Sequence, residues 1–599
     1  MKIFPLTTRR FYVPLVTAGC CLTFWSAVAV SQQSVDFQDV VRLPDIVRFR
    51  QLPKRMFLEP NISIPAETLF VTDARLKLYE RILVSPPDNE ILIKVIRSLE
   101  RIQSEGLADI SHAAESLHKH LLNTDHELVK QASASALATI GRAESAADVA
   151  QLCVPEREVL CLKIEPTFSS WGGDALKSTW VNRVENSEKF PRALIRLACD
   201  GLAQLKDISA LEAVRRLLEN EMTDYSVRYA AAQALGTLDH LQSAALAGNY
   251  SPGTVPDRLL ACALLGHCRS DAGFDALSTL CDDTSNAVAS QAWATMLRLD
   301  RQRLLEKLDR GVQHPDSNIR LNSVEVMREL PSSARCNNLD RLTADVHIGV
   351  RNSARRALKI LADSRPEFRD TILRNAGDSL VDTNSNWQQL EQSLVLLGQL
   401  RHRTRQNEWL RLLEHDRPEI FVTAAWLLHM MPYQEMADEV VKVTLRRYEM
   451  TDRPGLNEQL IFLFQHAGFT NSKSLQPLFE KQFAKNSPRF EVRAAGLWAL
   501  GKLNAGNADK VLAGKLVKRI RDLGLIPEGT IVRRMSVLAL VWMDARSAVP
   551  EMFWIRRVDG PHSLIGETAR WALPHLGGEQ LPPPESLRVP VDDFPVSPF

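Results

Sequence analysis

A helix-length stretch that returns at a nearly constant interval constrains the fold more than any other feature of this sequence. Its clearest copy, DYSVRYAAAQALGTL, runs from Asp224 to Leu238. Asp224 is placed to cap a helix, because its carboxylate can accept hydrogen bonds from first-turn amides. Apolar residues, many of them alanine, follow at helical spacing. Gly236 stands near the end, where we expect the helix to break in a left-handed turn. The stretch therefore predicts a short amphipathic helix with a small-residue face.

The interval between copies indicates how the helices are arranged. Equivalent positions lie 30 to 32 residues apart at Ile195, Val227, Asp257, Val288, Ile319 and Val350, and the interval then lengthens to between 33 and 40 residues. Such an interval accommodates two helices of about a dozen residues each and two tight turns. One pair cannot bury its apolar faces alone, so neighbours must stack. We predict an all-α, right-handed α-solenoid of about fourteen helical hairpins, with the second helix of each lining the concave face.

The residue pattern of the repeat has a counterpart in a known family. The pattern residues are Asp224, Val227, Arg228, Ala231, Ala234, Leu235 and Gly236, and its aliphatic–basic pair recurs at Val129-Lys130, Ile319-Arg320, Val350-Arg351, Val492-Arg493 and Val532-Arg533. They resemble the HEAT family, in particular the short HEAT-like repeats of phycobilisome lyases. The resemblance covers roughly residues 76 to 578 and implies the fold, while function stays open because such arrays carry many functions. We interpret the recurring Arg as a structural ladder that pairs with Asp of the next turn, in preference to a ligand-binding ladder.

Residues 1–30 have the composition of a leader. Three basic residues, Lys2, Arg9 and Arg10, precede an uncharged run that extends to Ser34. Our first interpretation is a cleaved secretory signal peptide. A retained membrane anchor, lipidation at Cys20 and a twin-arginine signal are the alternatives. All of them predict an extracytoplasmic protein, in the periplasm or cell envelope. We expect membrane contact only through an uncleaved or lipidated N-terminus.

Composition divides the rest of the chain into three regions. Residues 31–72 carry four prolines, and we expect an extended segment that lies along the first repeats. Residues 73–578 hold the HEAT-like repeat solenoid. Residues 579–599 form a Pro-rich tail for which we predict a strand-like or polyproline conformation. Loss of the first 30 residues changes the formal net charge from +1 to −2, which leaves no excess to drive nucleic-acid binding.

One insertion and the tryptophans need separate interpretation. Residues 155–190 depart from the repeat and contain Trp171, Gly172, Gly173 and Trp180. We interpret this run as a loop whose tryptophan packs on the neighbouring repeat, with a mobile contact loop as the alternative. The tryptophans of the second half, such as those in AAWLLHMM and AAGLWALG, are predicted to be core residues.

The sequence contains no established catalytic or metal-binding motif. HExxH, GxGxxG, GxxxxGK[ST] and GxSxG are absent. Three clusters of polar residues are explained as solvated helix faces or ends: His112, Glu115, His118 and His120; Arg401 to Arg405; and Lys515 to Arg521. Seven cysteines follow the leader, of which Cys199, Cys262 and Cys268 are predicted to lie in the core, while Cys153 and Cys161 are candidates for a disulfide. We therefore predict no catalytic, cofactor-binding or metal-binding residues and no cofactor.

These features favour a non-catalytic extracytoplasmic scaffold that binds a protein partner of unknown identity along its concave face. The alternative is an enzyme or accessory subunit of lyase or chaperone type, with a small-molecule site in the groove. A third interpretation is a sensor domain held to the membrane by an uncleaved leader. Several His, Asp or Cys side chains within metal-binding distance in the groove would favour the enzyme, and a broad groove with exposed aromatic residues would favour protein binding.

Overall fold

The computed structural model describes residues 52–591, apart from positions 63, 65, 66, 172, 173, 241, 451, 452 and 485–488, and it describes no side chains at 169–171. The leader, the first part of the extended segment and the last eight residues of the tail lie outside the described residues. No helix in the described ranges is both long and apolar enough to cross a membrane. In chain order, the elements are α1 (Arg55–Leu58), β1 (Thr68–Phe70), α2 (Asp73–Val84), α3 (Asn89–Ser104), α4 (Ala114–Asn123), α5 (Glu127–Ile140), α6 (Ala146–Ala150), α7 (Glu158–Ile164), α8 (Asp174–Glu185), α9 (Arg192–Leu205), α10 (Leu211–Glu219), α11 (Tyr225–Leu238), α12 (Ser243–Tyr250), α13 (Val255–Leu264), α14 (Asp271–Cys281), α15 (Asn286–Leu299), α16 (Leu308–Gly311), α17 (Ser317–Glu329), α18 (Ser333–Leu342), α19 (Ile348–Ser364), α20 (Pro366–Ser379), α21 (Trp387–Leu400), α22 (Gln406–Leu413), α23 (Pro418–Met430), α24 (Ala437–Glu449), α25 (Leu456–Phe469), α26 (Gln476–Glu480), α27 (Phe490–Leu503), α28 (Lys510–Arg521), α29 (Thr530–Trp542), α30 (Val549–Asp559), α31 (Leu564–His575) and β2 (Arg588–Pro590).

From α2 onwards the helices alternate between two layers. The second helix of each pair contacts the second helix of the next pair, and the short α7 lies between two of them. This second-helix layer consists of α3, α5, α9, α11, α13, α15, α17, α19, α21, α23, α25, α27, α29 and α31. The first helices pack on it from one side. The prediction of an all-α solenoid of stacked helical hairpins is confirmed, and the described chain holds the expected fourteen pairs together with the short pair α6–α7.

The repeat residues explain how the second helices begin and how closely they pack. Asp224 caps α11 by accepting a hydrogen bond of 3.0 Å from the backbone nitrogen of Ser226. The prediction that Gly236 stops the helix is wrong, because α11 continues to Leu238. A Cβ at Gly236 would lie 2.6 Å from the carbonyl oxygen of Leu264 on α13. This glycine therefore allows two second helices to approach each other, as small residues do in close helix packing.

The recurring arginines connect consecutive repeats. Three of them form bidentate ion pairs with an aspartate of the next repeat, with nitrogen–oxygen distances of 2.6 to 3.0 Å: Arg258–Asp283, Arg320–Asp345 and Arg533–Asp559. Each guanidinium also donates to a backbone carbonyl of its own hairpin. Bidentate geometry with the remaining donors satisfied is a structural use of arginine. The ladder interpretation is confirmed at these three positions.

The insertion around residues 155–190 packs through Trp180 and a buried ion pair. Trp180 on α8 is buried against Gly201 of α9, where a Cβ would lie 2.6 Å from the indole ring. Both side-chain oxygens of Glu165 accept hydrogen bonds from Arg183, at 2.7 and 2.8 Å, and one also accepts from the Trp180 indole at 2.9 Å. The expectation that a tryptophan here packs on the neighbouring repeat is confirmed for Trp180, whereas the side chain of Trp171 lies outside the described residues. The expectation of a loop is wrong, because most of this run is helical, in α7 and α8, and Trp180 and Arg183 on α8 are buried.

The two ends of the described chain pair with each other. β1 and β2 form a parallel two-stranded sheet, with Thr68 opposite Arg588, so the extended conformation expected of the tail is confirmed at 588–590. The N-terminal segment differs from the expectation in two ways. Its residues Lys54–Pro60 contact the last repeats, and not the first, and they include the helical turn α1. The segment was expected beside its neighbours in the chain, but distant repeats supply its hydrogen-bonding partners.

Candidate functional site

A short stretch of the chain, Lys54–Pro60, is bound on the second-helix layer of the last repeats, and we call it the inserted segment. Its contacts are with α23, α25, α27 and α29. Met56, in the middle of the turn α1, is 0% exposed and joins the apolar core that these helices form. Phe57 is partly buried against the same core and Leu58 is 56% exposed, so Met56 is the one apolar side chain of the segment that is fully buried.

Three acceptors hold the beginning of the inserted segment. The backbone nitrogen of Arg55 donates to His429 Nε2 at 3.2 Å, and that of Met56 donates to Gln465 Oε1 at 3.0 Å. These two N–H groups are in the first turn of a helix, where they have no partner within the helix. The Lys54 ammonium donates to Glu491 Oε2 at 2.9 Å. The surface therefore offers acceptors where the helical turn and its preceding side chain carry donors.

The His429 ring must be neutral to accept the hydrogen bond from the Arg55 amide. Burial, assisted by the charge of Arg55, lowers the pKa of His429 to about 3, so the ring is uncharged at neutral pH. An acceptor at Nε2 places the ring proton on Nδ1. A protonated ring would have no free lone pair for the Arg55 amide. The buried position of the ring thus fixes the protonation state that recognises the segment.

A buried guanidinium holds the other end of the inserted segment. Arg534 on α29 is 2% exposed, and it donates to the carbonyl oxygens of Phe57 and Pro60, both at 3.4 Å, and to Thr568 Oγ1 at 3.1 Å. Within the described ranges, no carboxylate lies within ion-pair distance of it. Burial lowers the pKa of Arg534. Carbonyl oxygens of the segment therefore supply much of the hydrogen bonding of this cation.

Aromatic rings and one further cation flank the inserted segment. The Lys502 ammonium lies 3.8 Å from the ring centre of Trp542 and 5.4 Å from that of Trp498. Burial lowers the pKa of Lys502, and the negative charge of Glu59 in the segment opposes this shift. The Arg55 guanidinium lies 5.0 Å from the ring centre of Phe469. Cations over aromatic faces add attraction that does not require a carboxylate partner.

These side chains form one site, which we call the docking surface: His429, Gln465, Glu491, Lys502 and Arg534. It presents acceptors to the N-terminal end of a helical turn and a donor to its carbonyl end. This order complements the dipole of the turn, which is positive at its N-terminal end. The docking surface is suited to recognising a polypeptide backbone together with one buried side chain.

The sequence analysis did not single out any residue of the docking surface. His429, Gln465 and Arg534 are polar residues on second helices that are otherwise buried almost all round, in AAWLLHMM, FLFQHAGF and IVRRMSV. Buried polar groups need partners. Such residues on an all-round apolar helix are the signal that would have indicated a site here.

The polar clusters that the sequence indicates as solvated helix faces or ends contain side chains that contact other parts of the protein. His118 contacts Asp148 at 2.7 Å, His120 contacts the carbonyl oxygen of Leu83 at 2.6 Å, and His112 contacts Glu80 at 2.8 Å, so these side chains do not converge. The basic clusters pair across repeats as well, in Arg405–Asp378, Lys515–Glu480 and Arg521–Glu551. Three of the seven second-half tryptophans expected in the core are fully buried, namely Trp409, Trp426 and Trp498, and the other four are partly buried.

Cys153, Cys161 and Glu165 are the one group in the described residues with ligand atoms close enough to hold a metal. Arg183 already occupies both oxygens of Glu165 and also donates to the carbonyl oxygen of Cys153 at 2.9 Å. A cation beside this guanidinium would be repelled, so the donor set does not suit a metal. The two thiols lie within 4.8 Å of each other and are free.

Comparison with known proteins adds little beyond the fold. No model of a known protein family matches the sequence, and no curated protein matches it either. Yeast importin-β (Kap95p) is 12% identical, with a TM-score of 0.42 over 85% of this chain and 73% of that one. Kap95p in its structure with RanGDP is 15% identical, with a TM-score of 0.45 over 85% and 72%. Kap121p bound to Nup53p is 11% identical, with a TM-score of 0.47 over 84% of this chain and 56% of that one. Likeness at this level carries no conclusion about partners.

Proposed function

We propose that this protein is a non-catalytic scaffold that binds a polypeptide partner on the second-helix layer of its last repeats, outside the cytoplasm. One observation carries the proposal. The docking surface holds a chain segment that is between 374 and 477 residues away in sequence, by hydrogen bonds to the backbone at both ends of a helical turn. Repeat arrays commonly use an extended layer of helices for recognition.

The chemistry of the docking surface suits recognition. Its side chains are a neutral imidazole, an amide, a carboxylate paired with lysine, and two cations that contact rings or carbonyl oxygens. Each of them has a position and charge that complement a polypeptide. Backbone recognition confers affinity that depends little on sequence, and the recess that takes Met56 adds selectivity for a slender apolar side chain.

The extracytoplasmic location is supported by the leader at residues 1–30, which precedes the repeats and has a basic start and an uncharged run. Intact mass measurement of the protein purified from its native source tests this part. A mass that lacks the leader, or that carries the leader with a lipid, supports export. An unmodified full-length chain recovered in the cytoplasmic fraction refutes it.

Site-specific crosslinking in the native host tests partner binding. A photoreactive phenylalanine analogue replaces Trp542, a half-buried tryptophan beside Lys502 on the docking surface. The matched control replaces Trp554, another half-buried tryptophan, on the first helix α30. We expect a polypeptide to crosslink at position 542 and not at 554, and a Glu491→Lys variant to lose the crosslink. Equal crosslinking at both positions, or none at 542, refutes the scaffold proposal.

A further inference from the structure

We infer that Lys54–Pro60 is an intramolecular ligand, and that the external partner is a polypeptide segment of the same chemistry that must displace it. This chemistry is a single helical turn with a lysine before the turn, a methionine at its second position and an acidic residue after it. The inference rests on the proposed function and adds the class of ligand and its regulation.

The first support is that the docking surface imposes the conformation of the segment. α1 has only four residues, and an isolated helix of that length does not form in water. Its two free N–H groups and the carbonyl oxygen of Phe57 find partners on α23, α25 and α29. The geometry is therefore encoded in the surface, and any polypeptide able to form one turn there meets the same acceptors and the same donor.

The second support is the match of charge along the segment. Lys54 pairs with Glu491 at 2.9 Å at one end, and the negative charge of Glu59 at the other end favours the charged form of Lys502. The lysine before the turn thus meets a carboxylate, and the backbone carbonyl oxygens at the other end meet the Arg534 guanidinium. This fixes the direction in which a polypeptide lies on the docking surface.

The third support is the state of the surface without a ligand. Arg534 is buried and has no carboxylate partner among the described residues, so loss of the carbonyl oxygens of Phe57 and Pro60 leaves donors unsatisfied. Gln465 Oε1 and His429 Nε2 would lose their N–H partners as well. Because buried donors and acceptors need hydrogen-bond partners, the docking surface is stable only when a polypeptide or water supplies them.

The fourth support is that the segment is held in a way that permits exchange. One side chain, Met56, is fully buried, and Leu58 on the same turn is half exposed. The segment nevertheless competes well with an external peptide, because it belongs to the same chain as the docking surface. This tethering gives it an effective concentration of about a millimolar there. For a ligand that binds in the 10–100 μM range, release of the segment should raise the apparent affinity of an external peptide roughly 10- to 100-fold.

Peptide binding to the full chain tests this inference. The probe is a fluorescent peptide with the sequence of residues 52–61, LPKRMFLEPN, and fluorescence anisotropy is the readout. We expect binding to a Met56→Asp chain to be at least tenfold tighter than to the wild-type chain, because the variant removes the anchor of the internal ligand and leaves the docking surface unchanged. The same peptide with aspartate in place of methionine should not bind. Equal binding to both chains, or binding to neither, overturns the inference.

A charge exchange provides the matched control for register. A peptide with Lys54→Glu should bind a chain that carries both Met56→Asp and Glu491→Lys, and it should bind the Met56→Asp chain poorly. If the Lys54→Glu peptide binds both variant chains equally, the assigned direction is wrong and the inference is overturned. A Lys54→Glu chain is the second variant if Met56→Asp does not fold, since position 54 already carries a charged side chain. It should bind the unmodified peptide severalfold more tightly than the wild type does.

Two further outcomes separate this inference from the proposed function. Peptide binding that does not respond to the variants, together with a crosslink at position 542, overturns the internal ligand and leaves the scaffold. Dimerisation of the wild-type chain in light scattering, lost in the Met56→Asp chain, would assign the segment to a second copy and would also overturn the intramolecular ligand.

Discussion

Replacing His466 with leucine is expected to stabilise α25, and to do so more strongly at pH 5 than at pH 7.5. His466 lies next to Gln465 of the docking surface and is completely buried. Neither ring nitrogen has a hydrogen-bond partner among the described residues. Burial of the ring lowers the pKa of His466 from 6.5 to about 4. The neutral ring is therefore the form that the folded protein accommodates.

The sign and size of the effect follow from this pKa. The folded-state value lies below the unfolded value, so the unfolded state binds more protons between pH 6.5 and 4, and stability falls as the pH drops through this window. At 1.36 kcal/mol per pKa unit, the loss between pH 7.5 and 5 is about 2 kcal/mol. Leucine cannot titrate, so the advantage of the variant should grow by that amount, which is about 30-fold in an equilibrium constant. At pH 7.5 we expect a gain of about 1 kcal/mol, because two buried polar atoms without partners are removed.

Hydrogen exchange of the α25 amides is the assay, since a long repeat array can unfold in parts and a global midpoint would combine them. Wild type and variant are compared at the same pH, which cancels the intrinsic exchange rate. His466→Gln is the matched control. It cannot titrate but keeps polar atoms, so it should reproduce the pH-dependent difference without the gain at pH 7.5. If the ratio of the variant's protection factors to those of the wild type is the same at pH 5 and pH 7.5, the reasoning is refuted.

Three further predictions concern packing elsewhere. Gly501→Ala should destabilise the α27–α29 contact by about 1–3 kcal/mol in local hydrogen exchange, because its Cβ would lie 2.4 Å from the α29 backbone. Gly514→Ala on α28, where nothing lies within 4 Å, should instead stabilise by about 0.5–1 kcal/mol, and an equal effect of both would contradict the close approach. Arg183→Met should cost about 3–5 kcal/mol because it leaves Glu165 buried without its cation, and adding Glu165→Gln should recover part of the loss; full stability of the single variant in urea denaturation would be the opposing result. The seven cysteines from Cys153 to Cys336 are all buried, so alkylation by iodoacetamide should require unfolding, and rapid labelling of the native chain would contradict their burial.

The repeat architecture was predictable because its causes are local. The Asp224 cap, the apolar spacing of α11 and the constant interval all act within one hairpin, and a hairpin that cannot bury its faces must stack. The arginine ladder was predictable because the basic residue and the aspartate keep the same positions from repeat to repeat. Arg258 of one repeat therefore pairs with Asp283 of the next. The role of Gly236 was not, because it depends on the carbonyl of Leu264 in another helix, which no local pattern reports.

The candidate site depends on contacts that the sequence order conceals. Lys54 and Glu491 are 437 residues apart, and nothing in the periodicity of either region links them. The polar side chains of His429, Gln465 and Arg534 lie on helices that are otherwise apolar. This pattern indicates that they are unusual, but it does not identify their hydrogen-bonding partners. The sequence by itself determined that helical hairpins would form and stack, because propensity, capping and period act over about thirty residues. Only the tertiary structure decided which repeats hold the inserted segment, because that follows from the path of the chain ends across distant repeats.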